Sequence, residues 1–183
     1  MTANLTVIAG PTAVGKGTVI KSILEDHPEI ALSVSATTRA PRPGEVDGVS
    51  YFFMTKTEFE AKIAQGEMLE WAQVHGDNYY GTPKQPVLDA LASGKQVILE
   101  IDLQGVRQVR QAWPTAKFIF IAPPSWDELV RRLQGRGTET EEQMAKRLET
   151  AKAELAAESE FDFTVVNNEV AECAAEVVEL MKS

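Results

Sequence analysis

The chain has 183 residues, 44% of them hydrophobic and 25% charged, a balance that suits one folded domain with inserted segments and excludes a disordered or fibrous polypeptide. Its 27 acidic residues outnumber the 18 basic ones for a net charge of −9, so the surface repels nucleic acid and anionic lipid, and an anionic ligand requires a local basic pocket. The lone Cys173 can build neither an internal disulfide nor a cysteine metal site and is expected in the core; with no basic-then-apolar opening and no apolar run near the ~18 residues that cross a bilayer, a cytoplasmic protein is expected.

In chain order, Leu5 to Ala9 is an apolar run of the kind that forms a buried parallel strand, and Gly17 to Asp26 sets Val19, Ile20, Ile23 and Leu24 at helical spacing. Between them lies Gly10-Pro11-Thr12-Ala13-Val14-Gly15-Lys16-Gly17-Thr18, a glycine loop in the strand-loop-helix setting of a phosphate cradle. The glycines let successive N–H groups turn inward, the helix N-terminus adds partial positive charge, and Lys16 adds a full charge toward the β and γ phosphates of a nucleotide. A lysine buried among glycines is costly without an anion beside it, which favours a phosphate site over a ligand-free loop. Gly17 stands where a magnesium-binding hydroxyl usually follows the lysine, so Thr18 is the candidate hydroxyl and the ligation of Mg²⁺ is left open.

From 35 to 82 the texture changes. Pro41, Pro43, Gly44 and Gly48 interrupt short aromatic stretches such as Tyr51-Phe52-Phe53, as expected of an inserted substrate-binding subdomain. Arg39 and Arg42 stand three residues apart in a proline-stiffened loop, and paired guanidinium groups suit a phosphate monoester.

Further strands are expected at Val97 to Ile101, Phe118 to Ile121 and Phe163 to Val166, each separated by a segment long enough for a helix, which implies an α/β fold. Helix starts are marked by Thr55 with Glu58, Ser125 with Glu128, and Thr140 with Gln143. Residues 135 to 150 are very polar and carry Arg136 and Arg147 beside Gly135 and Gly137, as a flap over a phosphate site requires, an exposed helical hairpin being the alternative. Val170 to Met181 reads as a packing helix with Val170, Cys173, Ala174, Val177 and Leu180-Met181 on one face. His27 and His75 have no metal-ligand companions at suitable spacing, and Trp71, Trp113 and Trp126 sit in no basic stripe, so packing is their expected role.

The cradle in its Gly-Lys-Gly-Thr form is similar to that of nucleoside monophosphate kinases. Together with Ser35 to Tyr51, Gly66-Glu67-Met68-Leu69-Glu70-Trp71, Tyr79-Tyr80-Gly81-Thr82, Glu100-Ile101-Asp102-Leu103-Gln104-Gly105 and Gly135-Arg136-Gly137-Thr138, it makes the chain resemble the guanylate kinase family from about Leu5 to Val178. Six segments agreeing in order and spacing are far more specific than one phosphate loop.

The resemblance implies a P-loop α/β core with a parallel sheet flanked by helices (about 3–34, 83–134 and 151–182), a GMP-binding subdomain with short strands (about 35–82) and a helical lid (about 135–150). It implies transfer of the γ-phosphoryl group of ATP, as Mg-ATP, to GMP, with Lys16, Arg39, Arg136 and Arg147 in catalysis. ATP would meet Gly10 to Thr18, Arg132, Asn167 and Asn168. The GMP phosphate would meet Ser35, Arg39, Arg42, Tyr51 and Tyr80, with Glu45 orienting the arginines. Glu70, Thr82 and Asp102 would read guanine, whose N1–H and N2–H donors a carboxylate accepts together. The chain departs from the family at Thr12-Ala13 (commonly Ser-Gly), Ser50 (usually Asp or His), Asn167-Asn168 (usually Asn-Asp) and an extra residue near Asp77. A non-catalytic guanylate-kinase-like interaction module, another P-loop small-molecule kinase, and a transferase like those that prenylate transfer RNA are the alternatives. Oligomeric state has no signal in the sequence.

Overall fold

The structure is a computed structural model that describes residues 5–74, 77–135 and 141–183. The elements run β1 (Leu5–Ala9), α1 (Lys16–Asp26), β2 (Ile30–Leu32), β3 (Ala36–Thr37), β4 (Phe52–Phe53), α2 (Lys56–Ala64), β5 (Met68–Val74), β6 (Asn78–Pro83), α3 (Lys84–Ala92), β7 (Gln96–Glu100), α4 (Leu103–Ala112), β8 (Lys117–Ala122), α5 (Trp126–Gln134), α6 (Glu141–Ala156), β9 (Phe163–Val166) and α7 (Val170–Lys182).

Five strands form a core sheet in the order β2-β7-β1-β8-β9, all paired in parallel. Strand alternation sorts the core. Leu5, Val7 and Ala9 of β1 join Val97 and Leu99 of β7 on one face, where Val87 of α3 and Val106 and Val109 of α4 cover them. Ile8, Ile98, Ile119 and Ile121 point to the other face, against α1, α5, α6 and α7. Both faces are therefore buried, which is why these strands read as continuous apolar runs. Cys173 lies in this core, 1% exposed, as expected. Trp113 and Trp126 pack against the two core clusters, whereas Trp71 is partly exposed and meets Tyr79 edge-on with ring centroids 5.9 Å apart.

The remaining strands form a separate sheet, β4-β3-β6-β5, lying within residues 36–83. Here β5 and β6 are an antiparallel hairpin that pairs Glu70 with Thr82 and Ala72 with Tyr80. Thr55 forms the full capping box with Glu58. Ser125 accepts from the Glu128 N–H, but the Glu128 carboxylate turns to Arg131 and Arg132 instead of reaching back, so only half of that expected box exists. Thr140 and His75 lie outside the described residues. His27 shares its Nδ1 with a Glu29 carboxylate 3.0 Å away. Helix α6 continues unbroken through residue 150, and Ala151 in its middle is fully buried. Among the described residues no helix is long and apolar enough to cross a membrane.

Candidate active site

The carboxyl ends of β1, β2 and β7 open toward the small sheet, the usual crevice of an open α/β sheet. A cavity of about 590 Å³ lies there, and its lining joins two sets of residues expected to hold different ligands. Gly10, Thr12 and Lys16 come from the cradle; Ser35, Arg42, Tyr51, Glu70 and Tyr80 come from the small-sheet segment. Glu100, Asp102 and Glu154 close the wall.

The cradle is held from below. The Val14 carbonyl accepts from Asn167 Nδ2 at 2.8 Å and from an Arg132 nitrogen at 3.1 Å, and a second Arg132 nitrogen donates to the Asn167 carbonyl at 3.3 Å. Gly15 has φ 98°, a left-handed value that favours glycine, and a Cβ there would lie 2.7 Å from Asn167 Nδ2. Ala13 occupies the left-handed region too, at φ 62°. A left-handed backbone suits glycine, the residue that the family resemblance leads one to expect where this chain carries Ala13. Lys16 Nζ donates to the carbonyls of Gly10 at 2.6 Å and Pro11 at 3.2 Å. Burial lowers the Lys16 pKa, while the charges of Glu100 and Glu154 act against that shift. Gly17 and Thr18 are exposed in the first turn of α1, and Asn168 is exposed after β9.

The acceptor end is organised by Glu45. It accepts from both terminal nitrogens of Arg39 at 2.9 Å and from the Arg42 backbone N–H at 2.7 Å. The Arg39 hydrogen bonds, then that backbone bond, bring the Glu45 carboxyl down to about 2. Glu45 thus holds the guanidinium of Arg39 but only the main chain of Arg42, whose side chain faces the cavity. Arg39 stands behind that lining, with Nε donating to the Tyr80 hydroxyl at 3.1 Å and its guanidinium 5.4 Å from the centre of the Tyr51 ring. The two arginines therefore differ, one fixed by a fork and a tyrosine, the other presented to solvent in the crevice.

Glu70 is 5% exposed on β5, and its Oε1 accepts from the Thr82 hydroxyl at 2.6 Å. Burial pushes its carboxyl up to about 7, the Thr82 hydrogen bond opposes the rise, and the nearby Asp102 charge adds to it. Asp102 caps α4, accepting from the Gly105 N–H at 2.8 Å. The Glu100 and Glu154 carboxyls are raised as well, chiefly by burial.

Two features were not foreseen. Among the described residues the lining is not a basic pocket, since Lys16 and Arg42 face Glu70, Glu100, Asp102 and Glu154. Beyond those two side chains, the partial positive charge that a phosphate finds at a helix N-terminus is that of α1, which begins at Lys16. Glu154 of α6 accepts from the Thr12 N–H at 2.9 Å, linking the far helix to the cradle. Nothing in the sequence singles Glu154 out among the glutamates of a polar helix, although Glu100 lay within a segment already notable. Arg147 is half-buried on α6, two turns before Glu154 and so on the same face. Arg136 lies outside the described residues.

The guanylate kinase family model matches residues 2–183. A guanylate kinase of Leifsonia xyli subsp. xyli is 60% identical over 178 residues, covering 97% of this chain and 70% of that protein. The chain belongs to the guanylate kinase family. A guanylate kinase of Nocardia farcinica is 57% identical over 181 residues, covering 98% of the chain and 94% of that protein. The crystal structure of guanylate kinase from Anaplasma phagocytophilum superposes with a TM-score of 0.76 at 31% identity, covering 99% of this chain and 86% of that one. The guanylate kinase fold thus accounts for the parallel core, the inserted small sheet and the helical segment after α5, as the resemblance implied.

Proposed function

We infer that the chain is a guanylate kinase, transferring the γ-phosphoryl group of ATP to GMP to give ADP and GDP. One observation carries this reading beyond family membership: a single cavity joins the phosphate cradle to a crevice holding Arg42, Tyr51, Tyr80 and the buried Glu70. Two anionic substrates can meet only in such a shared space, because phosphoryl transfer depends on in-line placement and charge neutralisation.

In this reading the loop from Gly10 to Thr18 cradles the ATP phosphates, Lys16 supplies charge to them, and Arg132 with Asn167 keeps the loop in shape. Asn168 lies beside them at the nucleotide end. Ser35, Arg42, Tyr51 and Tyr80 bind the GMP phosphate, with Arg39 acting from behind through Tyr80 and locked by Glu45. Glu70, Thr82 and Asp102 read guanine. A carboxylate accepts both N1–H and N2–H of guanine, whereas adenine has no such donor pair on that edge, so a mismatch leaves buried polar groups unpaired. Arg136 and Arg147 would approach the transferring group from the lid, about 135–150. The segments about 35–82 and about 3–34, 83–134 and 151–182 would be the GMP-binding and core parts.

Hard oxygen ligands suit magnesium, and the Thr18 hydroxyl in the first turn of α1 and the Glu100 carboxyl beside Lys16 in the cavity wall are the oxygens that would serve it. When bound with ATP, magnesium neutralises charge on the β and γ oxygens. The residues' own task is to bring the two phosphates together and keep water from the γ-phosphorus.

A coupled assay with ATP and each of the four nucleoside monophosphates tests the reading. Turnover is expected with GMP and little with AMP, and Lys16→Met should reduce it by ~10³-fold or more. No turnover with any monophosphate would favour a non-catalytic interaction module.

A further inference from the structure

The first turn of α4 contains a glycine that its backbone does not require. Gly105 lies in an ordinary helix and its N–H is capped by Asp102. At such a position glycine is a poorer helix former than alanine. What excludes a larger residue is space: a Cβ at Gly105 would lie 2.7 Å from Glu70 Oε2, 3.1 Å from Cδ and 3.3 Å from Cγ.

Neither partner can retreat easily. One turn on, Gln108 clamps the same strand, with Oε1 accepting from the Trp71 N–H at 3.1 Å and Nε2 donating to the Trp71 carbonyl at 2.7 Å. The opposite side of the Glu70 carboxylate is tied to Thr82 by the 2.6 Å hydrogen bond. A methyl group at 105 must therefore displace the carboxylate itself, the one soft element in the contact.

We propose that Gly105 is a positioning residue for guanine recognition: it holds the Asp102 carboxylate through its N–H and sets the place of the Glu70 carboxylate by having no side chain. The proposal rests on the reading of Glu70 as the guanine-binding group. Alanine at 105 keeps the N–H bond to Asp102 and moves only Glu70, which isolates the steric part of the role.

Steady-state kinetics of Gly105→Ala, Glu70→Ala and the double variant, with thermal melts of each, test it. Gly105→Ala should melt at or above the wild-type temperature, raise KM for GMP about 10- to 100-fold, and leave KM for ATP unchanged, since misplacement by about 1 Å has effects of that size. In the Glu70→Ala background the same substitution should leave kcat/KM for GMP unchanged, because the displaced group is gone. An unchanged KM for GMP in Gly105→Ala, or an equal loss in both backgrounds, overturns the proposal. A Glu70→Ala variant that uses GMP like the wild type would instead overturn the reading of Glu70, separating the two failures.

Discussion

Replacing Glu70 by glutamine should make the protein more stable and worse at its reaction, and the balance should depend on pH. The carboxyl is raised from 4.5 to about 7, first by burial and then by the Asp102 charge, against the pull of Thr82. Moving a carboxyl between those values corresponds to about 3 kcal/mol. The sign follows from the raised value. Protonated Glu70 favours the folded state, so its contribution is complete below the unfolded value near 4.5 and is lost as pH climbs through about 7. Glutamine is neutral at every pH, keeps an oxygen for the Thr82 hydroxyl, and so escapes the cost of a buried charge. At pH 8 the Glu70→Gln protein should therefore be more stable than the wild type by up to about 3 kcal/mol, a melting shift of roughly 6 to 12 °C for a chain of this size. At pH 5 the difference should shrink toward zero. Thermal melts of both proteins without nucleotide, from pH 5 to 8.5, measure it, and kcat/KM for GMP measured alongside should fall sharply in the variant. A stability difference that stays flat across pH, or a variant less stable at pH 8, would refute the claim that a charged Glu70 is held there at the expense of the fold.

Other outcomes follow from the same geometry. If guanine requires the ionised carboxylate, KM for GMP should rise by about tenfold from pH 8 to pH 6 while KM for ATP changes little, because protonation of one group near pH 7 removes the acceptor. Glu45→Gln should raise KM for GMP at all pH values from 5 to 9, since the Glu45 carboxyl, at about 2, is ionised throughout that range; kinetics in GMP at both extremes would check this. Asn167→Ala removes a buried bond to the Val14 carbonyl and should cost about 1 to 2 kcal/mol in denaturant unfolding, with KM for ATP raised more than KM for GMP.

The core was legible because burial on both faces leaves plain marks: β1 and β9 fall on the expected residues, and β7 and β8 differ from them by one residue at each end. Local chemistry was legible where a side chain bonds within its own turn, as Thr55 does with Glu58. Ser125 likewise marks the start of α5 and accepts from the Glu128 N–H, but the return bond of the box is missing because Glu128 had a stronger option. Two arginines three and four residues ahead, at 2.6 and 2.8 Å, outcompete one backbone N–H for its carboxylate. The lid boundary expected at residue 150 falls inside α6, since polar composition marks an exposed face without marking where the buried stripe begins.

The site divides along the same line. Residues that act through their own loop, such as Gly15 and Lys16, announce themselves by spacing; residues that act across the fold do not. Glu154 meets Thr12 over 142 positions and Asn167 meets Val14 over 153, and no local pattern encodes either. The same holds for charge. A net-acidic chain was expected to gather cations around its anions, yet the crevice carries four carboxylates against Lys16 and Arg42. In the proposed reading the carboxylates belong there for a different reason than the cations: Glu70 and Asp102 would face a base rich in donors, not a phosphate. Burial raises the carboxyls of Glu70, Glu100 and Glu154, while the Lys16 charge pulls those of Glu100 and Glu154 the other way. In the proposed reading, a crevice that takes guanine at one end and phosphate at the other must hold both signs of charge in one cavity, and the burial that raises three of its carboxyls disfavours their charged forms beside an anionic substrate.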